Sequence, residues 1–395
     1  MSHHNQFRHQ AYPSDPVLPP SFHKLKVTDG DLTDFTSLHT EFRVNHVVLV
    51  HGTFMGDDPF AISETLNAVA GSASLLKKPL ESLAAKLKER VKPLTDGVTG
   101  DVGNYGDDFR NLFQQLVGDD PVVELMQPTW TGQNHHFARA DLAVLLLCQL
   151  DKLQPAHNDC ILLWGHSHAG NGFAILTNLL ANEPTSVEAF FRAAAQDLPH
   201  WQQAEKILKD APSPHPLARC VRIAAFGTPV RYGWDASGCS DLVHVLHHGG
   251  QEPEDSITTK PMFPPHSATD MVTAQFGDWV QAFGIAGTDV TPPTSSAVNE
   301  RMAAVLEADL AAPDHGLDTK FLAPARIRDL CARWKTGTRC HATGRNLLLV
   351  YEPSGRKTGL GFPIEQAMLG HGVATTTNWL PAHLALVMQS LQPAP

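Results

Sequence analysis

The chain has 395 residues, long enough for a large buried core, and its 42% hydrophobic and 18% charged content is that of an ordinary globular protein. Thirty basic against forty-one acidic side chains leave a formal net charge of −11, and no basic run offsets it, so no nucleic acid partner is expected. The polar start Met1-Ser-His-His-Asn-Gln6 lacks the apolar core of a signal peptide, and runs such as Leu142–Cys148 are far too short to span a bilayer; a cytoplasmic protein with no integral membrane segment is expected.

Residues 1–22 are rich in proline, histidine and polar side chains and read as an extended arm. Residues 23–45 alternate weakly and predict antiparallel edge strands. His46-Val-Val-Leu-Val-His51 is a short apolar run of the buried parallel type, and it runs straight into Gly52-Thr53-Phe54. Helical spacing covers 61–70 and 79–91, where Leu80, Leu83, Leu87 and Val91 share a face. The glycine-rich stretch 97–106 lacks the lysine of a phosphate-binding loop.

Alternation of strand and helix continues beyond it. A helix is predicted over 109–117, a strand over 121–126, an amphipathic helix over 137–153 and a strand over 161–164. Helices follow at 186–195 and 201–208, then strands at 220–226 and 242–246. The stretch 256–343 shows no core strand; it holds an apolar, aromatic segment from Met271 to Ile285 and helical segments at 297–310 and 325–334. Asn346–Tyr351 is the last strand, and a terminal helix surrounds Leu384–Leu391. This order predicts an α/β fold, a mostly parallel, doubly wound sheet with helices on both faces.

The six cysteines at 148, 160, 220, 239, 331 and 340 form no C-x-x-C, as expected of free thiols in a reducing compartment. The 22 histidines include pairs at 135–136 and 247–248, but none has regular metal-ligand spacing, and neither metal nor cofactor is expected.

The most informative stretch is Ile161-Leu-Leu-Trp-Gly-His-Ser167-His-Ala-Gly-Asn171, an apolar strand turning at once into a helix with a serine at the apex. Such a turn strains the backbone at the serine and crowds the residues two before and two after it, so both must be small. Gly165 and Ala169 meet that need, with alanine where glycine is usual and Gly170 one step later.

Together with Val48-Leu-Val-His51-Gly-Thr53, Phe226-Gly-Thr-Pro229 and Gly370-His-Gly372, this stretch resembles the α/β-hydrolase superfamily, in particular its lipases and esterases. The resemblance spans roughly 43–390, with 256–343 matching nothing in it. It implies a serine nucleophile at Ser167, a histidine base at His371 and an oxyanion hole from the backbone N–H groups of Thr53 and His168. Asp255 is the expected acid, with Glu252, Glu254 and Asp235 as alternatives. His371 is preferred over His266, His315, His341 and His383 because it lies between glycines in a loop after the last strand. The expected division is an arm (1–22), a hydrolase core (23–255 and 344–395) and a helical cap (256–343). Phe54, Phe276 and Trp279 are expected to line the site, the last two on one helical face with Val272, Val280 and Phe283. The implied function is hydrolysis of a small-molecule or lipid carboxylic ester; an acyltransferase with the same triad, or an inactive hydrolase fold acting as a binding module, are the alternatives.

Overall fold

A computed structural model describes residues 16–26, 35–53, 103–118, 123–156, 158–249, 269, 272–274, 276–286, 289, 291–306, 338–358, 361 and 363–393. The predicted helices at 61–70, 79–91 and 325–334, and the residues Phe54, Glu252, Glu254, Asp255, His266 and His315, lie outside these.

Seven strands form one sheet: β1 (Ser21–Leu25), β2 (Val44–Val50), β3 (Glu124–Met126), β4 (Cys160–His166), β5 (Val221–Phe226), β6 (Asp241–His247) and β7 (Arg345–Tyr351). Their spatial order is β1-β7-β6-β5-β4-β2-β3, and every pairing is parallel. β4 and β5 are buried along their whole length, as the central strands of a sheet covered on both faces must be.

Side chains alternate between two cores. Val48, Val50, Ile161, Leu163, Ile223 and Ala225 face one, and Val47, Leu49, Leu162, Trp164, Ala224 and Phe226 face the other. The second core is closed by α1 (Asp107–Val117) and α8 (Leu380–Ser390). The first is closed by α2 (His136–Leu153), α3 (Ala169–Ala181), α4 (Pro184–Ala194) and α5 (Pro199–Asp210). No described helix is long and apolar enough to cross a membrane.

Two expectations are corrected here. The arm-proximal strand Ser21–Leu25 pairs parallel, not antiparallel, with β7, because the chain enters the sheet at the edge opposite β3. The proposed helical face from Val272 to Phe283 is not continuous. Helix α6 spans only Trp279–Ala286, while Val272 and Phe276 lie outside it and are exposed. Gly277 breaks the register: its φ is +89° and it bridges to His248, so close to β6 that a Cβ would lie 2.3 Å from the His247 carbonyl oxygen. Helix α7 (Ser296–Leu306), also inside the segment read as a cap, adds Val298, Met302 and Leu306 to the first core.

Candidate active site

Ser167 sits between β4 and α3 with φ +59°, a left-handed conformation costing roughly 1–3 kcal/mol in a non-glycine residue. Its surroundings hold it there. Its N–H donates to the Phe226 carbonyl at 2.7 Å, and its own carbonyl accepts from Gly170 N–H and from Thr228 Oγ1, each at 3.1 Å. A Cβ at Gly165 would lie 2.3 Å from the Phe173 ring, and one at Gly170 would lie 1.9 Å from Thr228 Oγ1. Ala169 is accommodated, so in this turn the position that must stay bare on the helix side is 170.

The turn after β2 reaches the serine. A Cβ on Gly52 would lie 2.6 Å from Ser167 Cβ and 3.2 Å from its Oγ, so only glycine allows the two segments to approach this closely. Trp130 Nε1 donates to the His51 carbonyl at 3.1 Å, with the two rings stacked. His51 Nδ1 lies 2.8 Å from the Gly52 carbonyl oxygen, an arrangement in which the imidazole donates. Because that peptide is planar and trans, the Thr53 N–H points the opposite way, away from the His51 ring.

His371 follows Met368, Leu369 and Gly370, all with positive φ, and its ring is buried. Its Nδ1–H donates to Asp278 Oδ2 at 2.6 Å. With Nδ1 donating, the ring in its neutral form presents its lone pair on Nε2, which has no hydrogen-bond partner among the described residues. Behind it lies His166, whose ring centroid is 4.2 Å away and whose Nε2–H donates to the His371 carbonyl at 3.1 Å. Burial, then the neighbouring His371, push His166 down to about 3, so this partner stays uncharged.

The carboxylate on the imidazole is that of Asp278, a residue not expected there from the sequence, positioned where Gly277 meets the end of β6; the expected Asp255 lies outside the described residues. Asp235 has another task, accepting from Ser237 N–H and Oγ to cap the turn Ala236–Gly238. Asp278 uses both oxygens: Oδ2 takes the imidazole, and Oδ1 accepts from Gln281 N–H at 2.8 Å as the N-cap of α6. Burial opposes its ionisation, but the His371 ring and hydrogen bond, Gln281 N–H and His247 outweigh it and hold the carboxyl below its usual range. Gly227, φ +57°, gives the pair its space: a Cβ there would lie 2.8 Å from Asp278 Oδ2 and 3.1 Å from His371 Nδ1.

Thr228 joins the two halves. Its hydroxyl holds the Ser167 carbonyl, and its own carbonyl accepts from Gln281 Nε2 and His341 Nε2. His341 and His383, weighed above as bases, are engaged elsewhere, His383 with Tyr351 OH at 2.8 Å. Phe276 is exposed beside Trp279, their rings 6.2 Å apart and T-shaped, while Trp279 packs inward with Val230, Ala282 and Ile285. Among the described residues no cluster of three or more His, Cys, Asp or Glu side chains could hold a metal. No protein-family model matches the chain, and neither does any curated protein or solved structure.

Reasoning from the sequence missed Asp278, and a signal for it was there. Gly277-Asp278-Trp-Val-Gln281 places an N-capping aspartate three residues before glutamine at the head of an apolar helical run.

Proposed function

We propose that this protein is a serine hydrolase of the α/β-hydrolase type that cleaves carboxylic esters through an acyl-enzyme. The observation that carries the reading is the left-handed Ser167, pressed against Gly52 on one strand end, with the buried Asp278–His371 pair on the neighbouring ends of the same sheet edge.

These positions support the following reaction. Ser167 Oγ attacks the ester carbonyl while His371 Nε2 takes its proton. Asp278, ionised, keeps the other ring proton on Nδ1 and stabilises the imidazolium as it forms. The backbone N–H groups of Thr53 and His168 receive the developing oxyanion, each worth roughly 3 kcal/mol in the transition state. His371 then protonates the leaving alkoxide, and the same steps with water release the acid. Trp279, Ala282 and Ile285 of α6 pack with Val230 in a buried apolar cluster that anchors the helix capped by Asp278. The reading places the activity in the cytoplasm, on small-molecule or lipid esters.

Labelling with a fluorophosphonate tests it directly. Wild-type protein should be labelled and should hydrolyse 4-nitrophenyl esters, and Ser167→Ala should do neither. Label retained by the alanine variant would put the nucleophile elsewhere.

A further inference from the structure

His168 follows the nucleophile directly, and the proposed reaction uses only its backbone. The side chain is nonetheless built into place. Its imidazole is buried, and its Nδ1 faces two groups that can only donate, Asn171 Nδ2 at 3.0 Å and Arg139 Nη1 at 3.3 Å. The orientation of the Asn171 amide is fixed, because Nδ2 also donates to the Pro229 carbonyl at 3.1 Å. Arg139 is held as firmly: Nε donates to Tyr232 OH at 2.8 Å, and both terminal nitrogens reach Asp289 Oδ1 at 3.0 Å.

A ring nitrogen faced by two donors must present its lone pair, so the proton of His168 sits on Nε2. Burial, then the charge of Arg139, push the imidazole well below its ordinary range, and the ring is neutral. Nε2 has no hydrogen-bond partner among the described residues. On the side toward α6 lies Gly284, where a Cβ would stand 3.6 Å from Nε2 but only 2.4 Å from Pro229 Cγ, so the bare glycine lets α6 pack against Pro229 beside the ring.

We propose that His168 presents this fixed, neutral N–H to the substrate and selects acyl esters with an ether or hydroxyl oxygen beside the reacting carbonyl. The backbone N–H of the same residue holds the carbonyl oxygen in the proposed reaction, so its side chain reaches only atoms a few bonds away. An aliphatic acyl chain would cover the buried donor without pairing it, and that penalty is the source of selectivity. The inference rests on the serine-hydrolase reading.

The test compares 4-nitrophenyl methoxyacetate with 4-nitrophenyl butyrate, which differ by an oxygen in place of a methylene. The ratio of their kcat/KM values is measured in wild type, His168→Leu and His168→Gln; dividing one protein's ratio by another's cancels the esters' intrinsic reactivity. The leucine variant should lose about tenfold of the preference for the ether, and glutamine, which keeps an N–H, should retain most of it. Fluorophosphonate labelling separates the two readings. A leucine variant that labels and keeps the wild-type ratio overturns the role of His168 alone, whereas wild-type protein that fails to label removes the hydrolase reading beneath it.

Should the leucine variant not fold, wild-type protein labelled with 15N-histidine supplies the measurement, His168 being assigned by its absence from the glutamine variant's spectrum. An Nε2–H tautomer whose resonance shifts on reaction with a 4-nitrophenyl methoxymethylphosphonate, and not with the propylphosphonate, supports the inference. An Nδ1–H tautomer, or equal shifts with both, overturns it.

Discussion

The two halves of the proposed active site are built in different ways. The nucleophile half is local: β4, the turn at Ser167 and α3 are continuous in the chain, and the strain at the serine is held by hydrogen bonds from residues 170 and 228. The acid–base half draws on residues 227, 247, 278 and 371, brought together by the ends of β5, β6 and β7. A strained local turn is dictated by the short-range sterics of a few small residues. A buried hydrogen-bonded pair made between distant segments depends on loops whose paths no short-range rule sets.

If that contrast is right, substitutions in the first half should abolish chemistry while sparing the fold, and those in the second should be graded. The largest effect belongs to Ser167→Ala, with kcat falling by about 10⁶ and thermal unfolding little changed, since the alanine removes only a hydroxyl. Asp278→Asn comes next. The amide can no longer fix the Nδ1–H tautomer, and a loss of about 10⁴ in kcat is expected, with a small drop in melting temperature because asparagine still caps α6. Asp255→Asn provides the contrast and should stay near wild type. Equal losses at both positions would break the assignment of the acid.

Gly52→Ala tests the meeting of the two strand ends. The new methyl must displace Ser167 Cβ or the turn itself, and the loss should be about 10²–10³ in kcat, the size of one misplaced oxyanion donor. Labelling by fluorophosphonate should slow in parallel. Full activity in this variant would show that the turn after β2 takes no part.

These differences track what could be read in the chain. The parallel sheet was legible because β2, β4, β5, β6 and β7 are short apolar runs separated by helical spacing. Ser167 and the Gly52 turn were legible because their small residues lie within a few positions of one another. His371 stood out between two glycines, and the buried ring is where Asp278 can reach it. The carboxylate that meets His371 was not legible in the same way: the sequence offers Glu252, Glu254 and Asp255 soon after β6, whereas Asp278 is brought to that strand end by the bridge between Gly277 and His248. The face drawn from Val272 to Phe283 failed for a related reason. Three- and four-residue spacing continues across Gly277, but its positive φ and its bridge to His248 end any helix there.

The smallest predicted effect is at His247, and it tests how the acid–base half is held. His247 touches both partners without touching the reacting atoms. Its Nδ1–H donates to the Gly370 carbonyl at 2.7 Å, fixing the residue just before His371. Its carbonyl accepts from Asp278 N–H at 3.3 Å and from Arg339 Nη2 at 2.8 Å, fixing the acid. Burial lowers its pKa, so the ring serves as a neutral donor. His247→Phe keeps a ring against Tyr351, 4.9 Å away in the native pair, but leaves the Gly370 carbonyl without its donor. kcat should fall about tenfold with KM nearly unchanged, because the proposed base is misaligned while the segments around Ser167 are untouched. His247→Asn should recover most of that loss, since its amide N–H can stand where Nδ1–H stood. A change of mere packing would lower the melting temperature in both variants and separate neither from the other in kcat, so rescue by asparagine alone marks His247 as the tie between acid and base.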